Sequence, residues 1–326
     1  MGGETDGDGQ MTTSDPNIPG IDLAGAERAP EACARALRRA FEEVGFVGVR
    51  GHDVPDATIR AALETARALF ALPDEVKRRY EVAGGAGQRG YTRVGVETAK
   101  GRRRPDRKEF WHVGREVARD HPLAHALQPN LWPEEVAGFR EAQLALFEAL
   151  ERLGVRLLAA IARSLALADD WFEERVDVGN SILRAIHYPP VPARDGAARA
   201  AAHEDINLIT LLVGSDEPGL EILRRDGRWI SVTTLPGTIV VNVGDMLQRL
   251  TNARLVSTTH RVVDPPPPWS RRSRHSIPFF LHFNPDVQIR TLPTCIDKDH
   301  PDRFPTPIMA HDFLQQRLRE IGLMKG

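Results

Sequence analysis

Cysteine is scarce in this chain. Its 326 residues include two, Cys33 and Cys295, which excludes a disulfide scaffold. Neither belongs to a Cys-x-x-Cys pair, so a cysteine-bound zinc is not expected. Thiols this few fit a reducing, cytoplasmic setting. Long apolar runs are missing as well. No stretch approaches the roughly 18 uncharged apolar residues that a membrane helix needs. The opening "MGGETDGDGQMTTSDPN" has neither the basic nor the apolar region of a signal peptide. Residues 1–17 read instead as a disordered tail. Charge of one sign is not in excess: the formal net charge is −2, which gives no reason to expect nucleic acid or an anionic membrane as partner. What is present is 41% hydrophobic residues, enough for a sizeable core.

Two textures divide the rest. Residues 18–175 form a mixed, mostly helical region. Helical spacing predicts helices over 30–44, about 55–71, 73–81 and about 134–166, with a short strand at "FVGVRG". Between them, 83–108 is glycine-rich and loop-like. Its run Arg102, Arg103, Arg104, Arg107 and Lys108 is either an anion site or, the favoured reading, a solvated charged loop. From 176 to 326 the pattern changes to short apolar runs at 181–187, 206–213, 219–223, 228–233, 238–243, 255–263, 274–283 and 286–291, split by turn signals, with a closing helix at about 308–322. Many short, regularly spaced strands predict a sandwich or jelly roll.

The segment "AAHEDINLITLLVG" carries the first chemical signal. Charges beside a core strand are costly unless something pairs with them. On an extended backbone His203 and Asp205 share a face while Glu204 points away. One His-x-Asp is weak evidence, and a second occurs at His300-Pro301-Asp302. Context separates them. His300 lies in a proline-containing loop with only His311 after it, whereas His260 follows His203 within "LVSTTHRVV". A jelly roll stacks sequence-distant strands, so His260 can complete a facial set of two imidazoles and one carboxylate, which suits non-haem Fe(II). In "RRSRHSIPFFLHF", Arg274 and Ser276 again share a face. A guanidinium beside a hydroxyl is a receptor for the far carboxylate of a 2-oxo diacid, and Tyr188 in "LRAIHYPPVP" is a further donor to it.

These residues, "HED…HRV…RHS" with "HYPP" upstream and "NVGDMLQRLTN" between, resemble the isopenicillin N synthase-like branch of the Fe(II)/2-oxoglutarate-dependent oxygenases. The resemblance runs from about Ile18 to the end and includes "GFVGVRGHDVP", "LFALPDEVK" and "GYTRVGVE". It implies a mainly β fold with flanking helices (α+β) around a double-stranded β-helix, or jelly-roll, core. It also implies a cytoplasmic oxidoreductase using Fe(II), 2-oxoglutarate and O2 on a small-molecule substrate, by hydroxylation, desaturation or cyclisation. By this resemblance His203, Asp205 and His260 match the metal ligands, and Arg274, Ser276 and Tyr188 the co-substrate site. Ile186 departs from the pattern, standing where plant members often carry Asn. Tyr91, Arg93, Phe110 and Phe283 are placed near substrate by analogy. Other histidines have plainer readings: His187 and His275 are structural, His112 faces substrate or, the favoured reading, packs beside Trp111, and His282 borders the pocket. Asn242 and Asp245 are expected to fix a turn. The alternatives are an oxidase of the same fold that uses no 2-oxoglutarate, an ethylene- and succinate-forming enzyme, a zinc hydrolase, and a non-catalytic binding module.

Overall fold

The computed structural model describes residues 17–26, 28–98, 104–190, 198–214, 218–233, 236–264 and 269–324. The first half supplies β1 (Gly20–Asp22), α1 (Pro30–Glu43), β2 (Phe46–Arg50), α2 (Asp56–Phe70), α3 (Asp74–Arg78), β3 (Gly90–Thr92), β4 (Glu109–Gly114), α4 (Phe139–Ser164) and α5 (Glu173–Val176). The second supplies β5 (Ile182–Tyr188), β6 (Ala200–His203), β7 (Ile209–Val213), β8 (Leu220–Leu223), β9 (Trp229–Ser231), β10 (Ile239–Val243), α6 (Asp245–Leu250), β11 (His260–Val262), β12 (Arg274–Leu281), β13 (Gln288–Ile289), β14 (Ile308–Met309) and α7 (Ala310–Glu320).

Two sheets face each other. The larger runs β1-β2-β10-β7-β12-β5-β4-β3, and the smaller β6-β11-β8-β9. From β5 to β12 the chain passes back and forth between the sheets, with only the β8–β9 hairpin staying in one, the signature of a jelly roll. The fold is mainly β with flanking helices, and the large sheet mixes strands from both halves of the chain. Helices α1, α2 and α4 cover its outer face. The apolar stripe of α4, including Leu146, Leu150, Leu153, Leu157 and Ile161, is buried there as its spacing predicts. Gly154 interrupts this stripe for steric reasons. A Cβ at that position would stand 2.5 Å from Leu281 Cδ1, so the helix gives up about 1 kcal/mol of propensity to lie close on β12.

The sequence expectations need four corrections. The sequence predicts one strand over 206–213, but β7 starts at Ile209, and His203 ends β6 instead of standing at the mouth of that strand. β6 reads "AAAH", too alanine-rich to signal a strand. β4 was missed because all six of its residues are buried, leaving no alternation to detect. The described part of the 83–108 segment is more than a solvated loop: it contains β3, while Arg107 pairs with Asp264 at 2.6 Å and Lys108 is buried. Arg102 and Arg103 lie outside the described residues, as do residues 1–16 of the expected tail, whereas Asn17 is held by Ser231 and Thr233. Among the described residues no helix is long and apolar enough to cross a membrane.

Candidate metal centre and its two chambers

Cross-strand pairing creates the centre. His260 at the start of β11 sits directly opposite His203 at the end of β6, and their ring centroids are 4.4 Å apart. Asp205 comes from the loop just beyond β6. Its Oδ1 lies 3.9 Å from His203 Nε2 and 3.8 Å from His260 Nε2. One ligand atom from each residue falls within a common 4.8 Å sphere of separation.

The surrounding bonds leave the right atoms available. His203 Nδ1 donates to Ala201 O at 2.7 Å and His260 Nδ1 to Thr258 O at 3.1 Å. Both Nε2 lone pairs therefore face the centre. Asp205 Oδ2 accepts from Thr210 Oγ1 at 2.6 Å and Asn242 Nδ2 at 2.8 Å, which leaves Oδ1 facing the imidazoles. Burial works against ionising Asp205, but His260, His203 and these two donors outweigh it and hold the carboxyl below its usual range. Enclosure and the facing His260 lower the imidazole of His203 to about 4, so it is neutral at pH 7. Two imidazoles and one carboxylate with an open side suit a divalent transition metal. Asn242 was expected to fix a turn; it orients Asp205 instead, because β10 runs beside β7 and faces inward.

On one side lies an inner chamber of about 70 Å³ between the sheets. Arg274, Ser276 and Tyr188, all buried, line it. Arg274 is paired with Tyr188 across β12 and β5. Its guanidinium sits 5.0 Å over the Tyr188 ring and donates to Ser276 Oγ at 3.3 Å. Ile186 lines the same chamber, as do Lys108 and Arg184.

On the other side is an outer chamber of about 110 Å³. The sequence reading missed most of its wall. Glu97 and Arg184, half-buried, and Asp106 and Lys108, buried, form a charged cluster: Lys108 Nζ lies 2.7 Å from Glu97 and 2.9 Å from Asp106, and Arg184 Nη1 lies 3.2 Å from Glu97 Oε2. Burial disfavours the charged form of Glu97, but Arg184 and Lys108 prevail and hold it well below the usual carboxylate range. His112 also lines this chamber. It accepts from Arg184 Nε at 2.5 Å, a role beyond packing beside Trp111. His282 borders the chamber as expected. Arg184 was within reach of sequence reasoning, since it shares the alternation of Ile186 and Tyr188 along β5.

The four residues expected near substrate do not line either chamber among the described residues. Tyr91 donates to Glu109 in a buried network with Lys77. Arg93 pairs with Glu81 at the surface. Phe110 lies beneath the Arg184 guanidinium, 4.3 Å away, and Phe283 stacks on Phe172 in the core. His187 and His275, stacked at 4.8 Å, have the structural surroundings expected of them.

Comparisons with known proteins decide the family. The family described as "2OG-Fe(II) oxygenase superfamily" matches residues 179–283, and "non-haem dioxygenase in morphine synthesis N-terminal" matches 18–135. A 2-oxoglutarate-Fe(II) type oxidoreductase of Emericella nidulans is 30% identical over 93% of this chain and 89% of its own length. This chain belongs to the 2OG-Fe(II) oxygenase superfamily. A 2OG-Fe(II) oxygenase family protein from Caulobacter crescentus matches its structure with TM-score 0.87 and 45% identity, covering 94% of this chain and 99% of the other. A full-length Neurospora crassa protein solved with alpha-KG and thymine matches with TM-score 0.82 and 29% identity, covering 93% and 96%. The enzyme is an Fe(II)/2-oxoglutarate-dependent oxygenase, and the superfamily's Fe(II), 2-oxoglutarate and O2 are its cofactor and co-substrates.

Proposed function

We propose that this oxygenase oxidises an unactivated C–H bond of a small molecule by hydroxylation, desaturation or cyclisation, releasing succinate and CO2. In this reading His203, Asp205 and His260 hold Fe(II), and Arg274, Ser276 and Tyr188 hold the far carboxylate of 2-oxoglutarate. The observation that carries it is the division of the cavity: the histidine–carboxylate set lies between a chamber lined by Arg274 and a second, larger chamber. When bound, the metal and oxo acid supply the oxidising power.

The protein's residues do the rest. Ala201 and Thr258 carbonyls fix the imidazole tautomers, and Asn242 and Thr210 fix the carboxylate. Arg274, enclosed and stacked on Tyr188, offers a charged donor to a carboxylate in a space too small for bulk water. Ile186 withholds the amide that an Asn would present there, and Lys108 and Arg184 provide polar groups on the same wall. Five residues, Lys108, Arg184, His203, Asp205 and Phe280, line both chambers, so substrate and co-substrate meet at the same centre. The relative crystallised with thymine and alpha-KG supports a small-molecule substrate. We read residues 18–175 and 176–326 as one working unit, since their strands share one sheet, and the setting as cytoplasmic, in keeping with two free cysteines.

The test is succinate release from 2-oxoglutarate with Fe(II) and O2, measured against a panel of small metabolites. A compound that raises succinate release and is itself oxidised one-for-one supports the reading. Oxidation of such a compound without succinate release would refute it.

A further inference from the structure

The two histidines of the centre are not held alike. His260 lies on β11, which is flanked by β6 and β8 and pairs with both at this residue. His203 ends β6, an edge strand with β11 on one side only. Between the pairs His203–His260 and Ala200–Val262 the register slips by one residue, so Ala201 and Ala202 stand opposite Arg261 alone. This is a β-bulge, a device that bends a strand and re-aims a side chain with the loss of a ladder bond. Ala201 is buried, and a buried N–H without an acceptor would be destabilising.

A side chain from the first half of the sequence supplies the acceptor. Ala201 N donates to Asp106 Oδ1 at 3.0 Å, a charge-assisted bond stronger than one to a neutral oxygen. Asp106 is itself fixed at two further points. Its Oδ2 accepts from Lys108 Nζ at 2.9 Å, and its backbone N donates to Glu97 O at 3.0 Å. Arg107 adds a second tie: its N donates to Ala198 O at 3.0 Å, and its guanidinium pairs with Asp264, just beyond β11, at 2.6 Å. Residues 106–107 thus lace the outer edge of β6. The bulged residue is held from both ends. Its N–H goes to Asp106, and its carbonyl accepts from His203 Nδ1 at 2.7 Å.

We propose that Asp106 is a positioning residue for the metal centre: by holding the Ala201 amide it fixes the bulge whose carbonyl aims the His203 imidazole. Lys108 steadies the carboxylate from its other oxygen. His260 needs no such clamp, since β8 takes beside β11 the place that Asp106 fills beside β6. This assignment rests on His203 binding Fe(II), as in the proposed function.

Two readouts on Asp106→Ala test it. The first is Fe(II) affinity, by anaerobic titration of the metal-free, full-length protein. It should fall about tenfold, the low end for groups that hold a metal's ligands. The second is amide hydrogen exchange, resolved by residue, at saturating Fe(II) without O2. Exchange at Ala201 should speed by about tenfold or more, as expected for loss of a hydrogen bond to a charged group, while β12 is unaffected. Asp106→Asn, whose single uncharged oxygen must serve both Ala201 and Lys108, should fall between wild type and Asp106→Ala on both counts. Unchanged Fe(II) affinity in Asp106→Ala overturns the proposal, as does faster exchange spread over both sheets, which would mark a general loss of structure. Equal losses in Asp106→Asn and Asp106→Ala would assign the effect to the charge beside Lys108 and overturn it as well. If Asp106→Ala fails to fold, Asp106→Asn decides: wild-type Fe(II) affinity together with wild-type exchange at Ala201 refutes the clamp. Wild-type protein that binds no Fe(II) would instead refute the proposed metal centre itself.

Discussion

The two chambers share five residues and differ in how their walls are made. The inner one is built from regular strands: Arg274 and Ser276 on β12 face Tyr188 and Ile186 on β5 in antiparallel register. The outer one is closed by a returning loop and a helix. Glu97 and Asp106 are brought together by a backbone bond, Asp106 N to Glu97 O at 3.0 Å. The helix α7 is tied down by Arg317 on Asp245 at 2.7 Å, and Asp245 N in turn donates to Asp205 O at 2.7 Å. In the proposed function, strand register fixes the receptor for the constant co-substrate, and loops and a terminal helix carry what varies with substrate.

The largest effect that sharpens this contrast is at the shared centre. His203→Ala, Asp205→Ala or His260→Ala should take succinate release below detection, with unchanged far-ultraviolet circular dichroism showing that the fold is kept. Arg274→Ala should act on one chamber only. It should weaken 2-oxoglutarate binding by about 1.5–3 kcal/mol, roughly 10–150-fold, seen as a raised KM for 2-oxoglutarate. Unchanged 2-oxoglutarate affinity would mean that the inner chamber is assigned to the wrong ligand. Asn242→Ala removes one of the two donors to Asp205 and should weaken Fe(II) binding about 10–100-fold, measured by metal titration.

The smallest effect concerns pH. Burial holds His282, and burial and the neighbouring His187 hold His275, near 4, against about 6.5 in an unfolded chain. Between those values the unfolded chain binds protons that the folded one refuses, so stability falls as pH drops from about 6.5 towards 4 and flattens below. The slope should approach about 1.4 kcal/mol per pH unit for each imidazole. His275→Gln should flatten part of that slope in denaturant unfolding of the metal-free protein, and an unchanged slope would assign it to other groups.

The same division governs what the sequence reveals. The pairs His203/Asp205 and Arg274/Ser276 stood out because spacing of two along extended chain puts side chains on one face, and His260 because a jelly roll stacks sequence-distant strands. The helical stripe of α4 was legible for the corresponding reason at its own period. β6 escaped notice because alanines carry no strand signal, and β4 because it is buried on both faces. Lys108 looked like part of a solvated charge run, since nothing local shows that the loop folds back to bury it against Glu97 and Asp106. Tyr91, Arg93, Phe110 and Phe283 were placed by analogy, and they are committed elsewhere, to Glu109, Glu81, Arg184 and Phe172 respectively.

Anaerobic titration of the metal-free protein with Fe(II) and then 2-oxoglutarate addresses the centre most directly. A visible charge-transfer band should grow in with one equivalent of each, require more 2-oxoglutarate in Arg274→Ala, and be absent in Asp205→Ala. A band of undiminished strength in Asp205→Ala, or none in the wild-type protein, would contradict the placement of the metal between the chambers and of the co-substrate in the inner one.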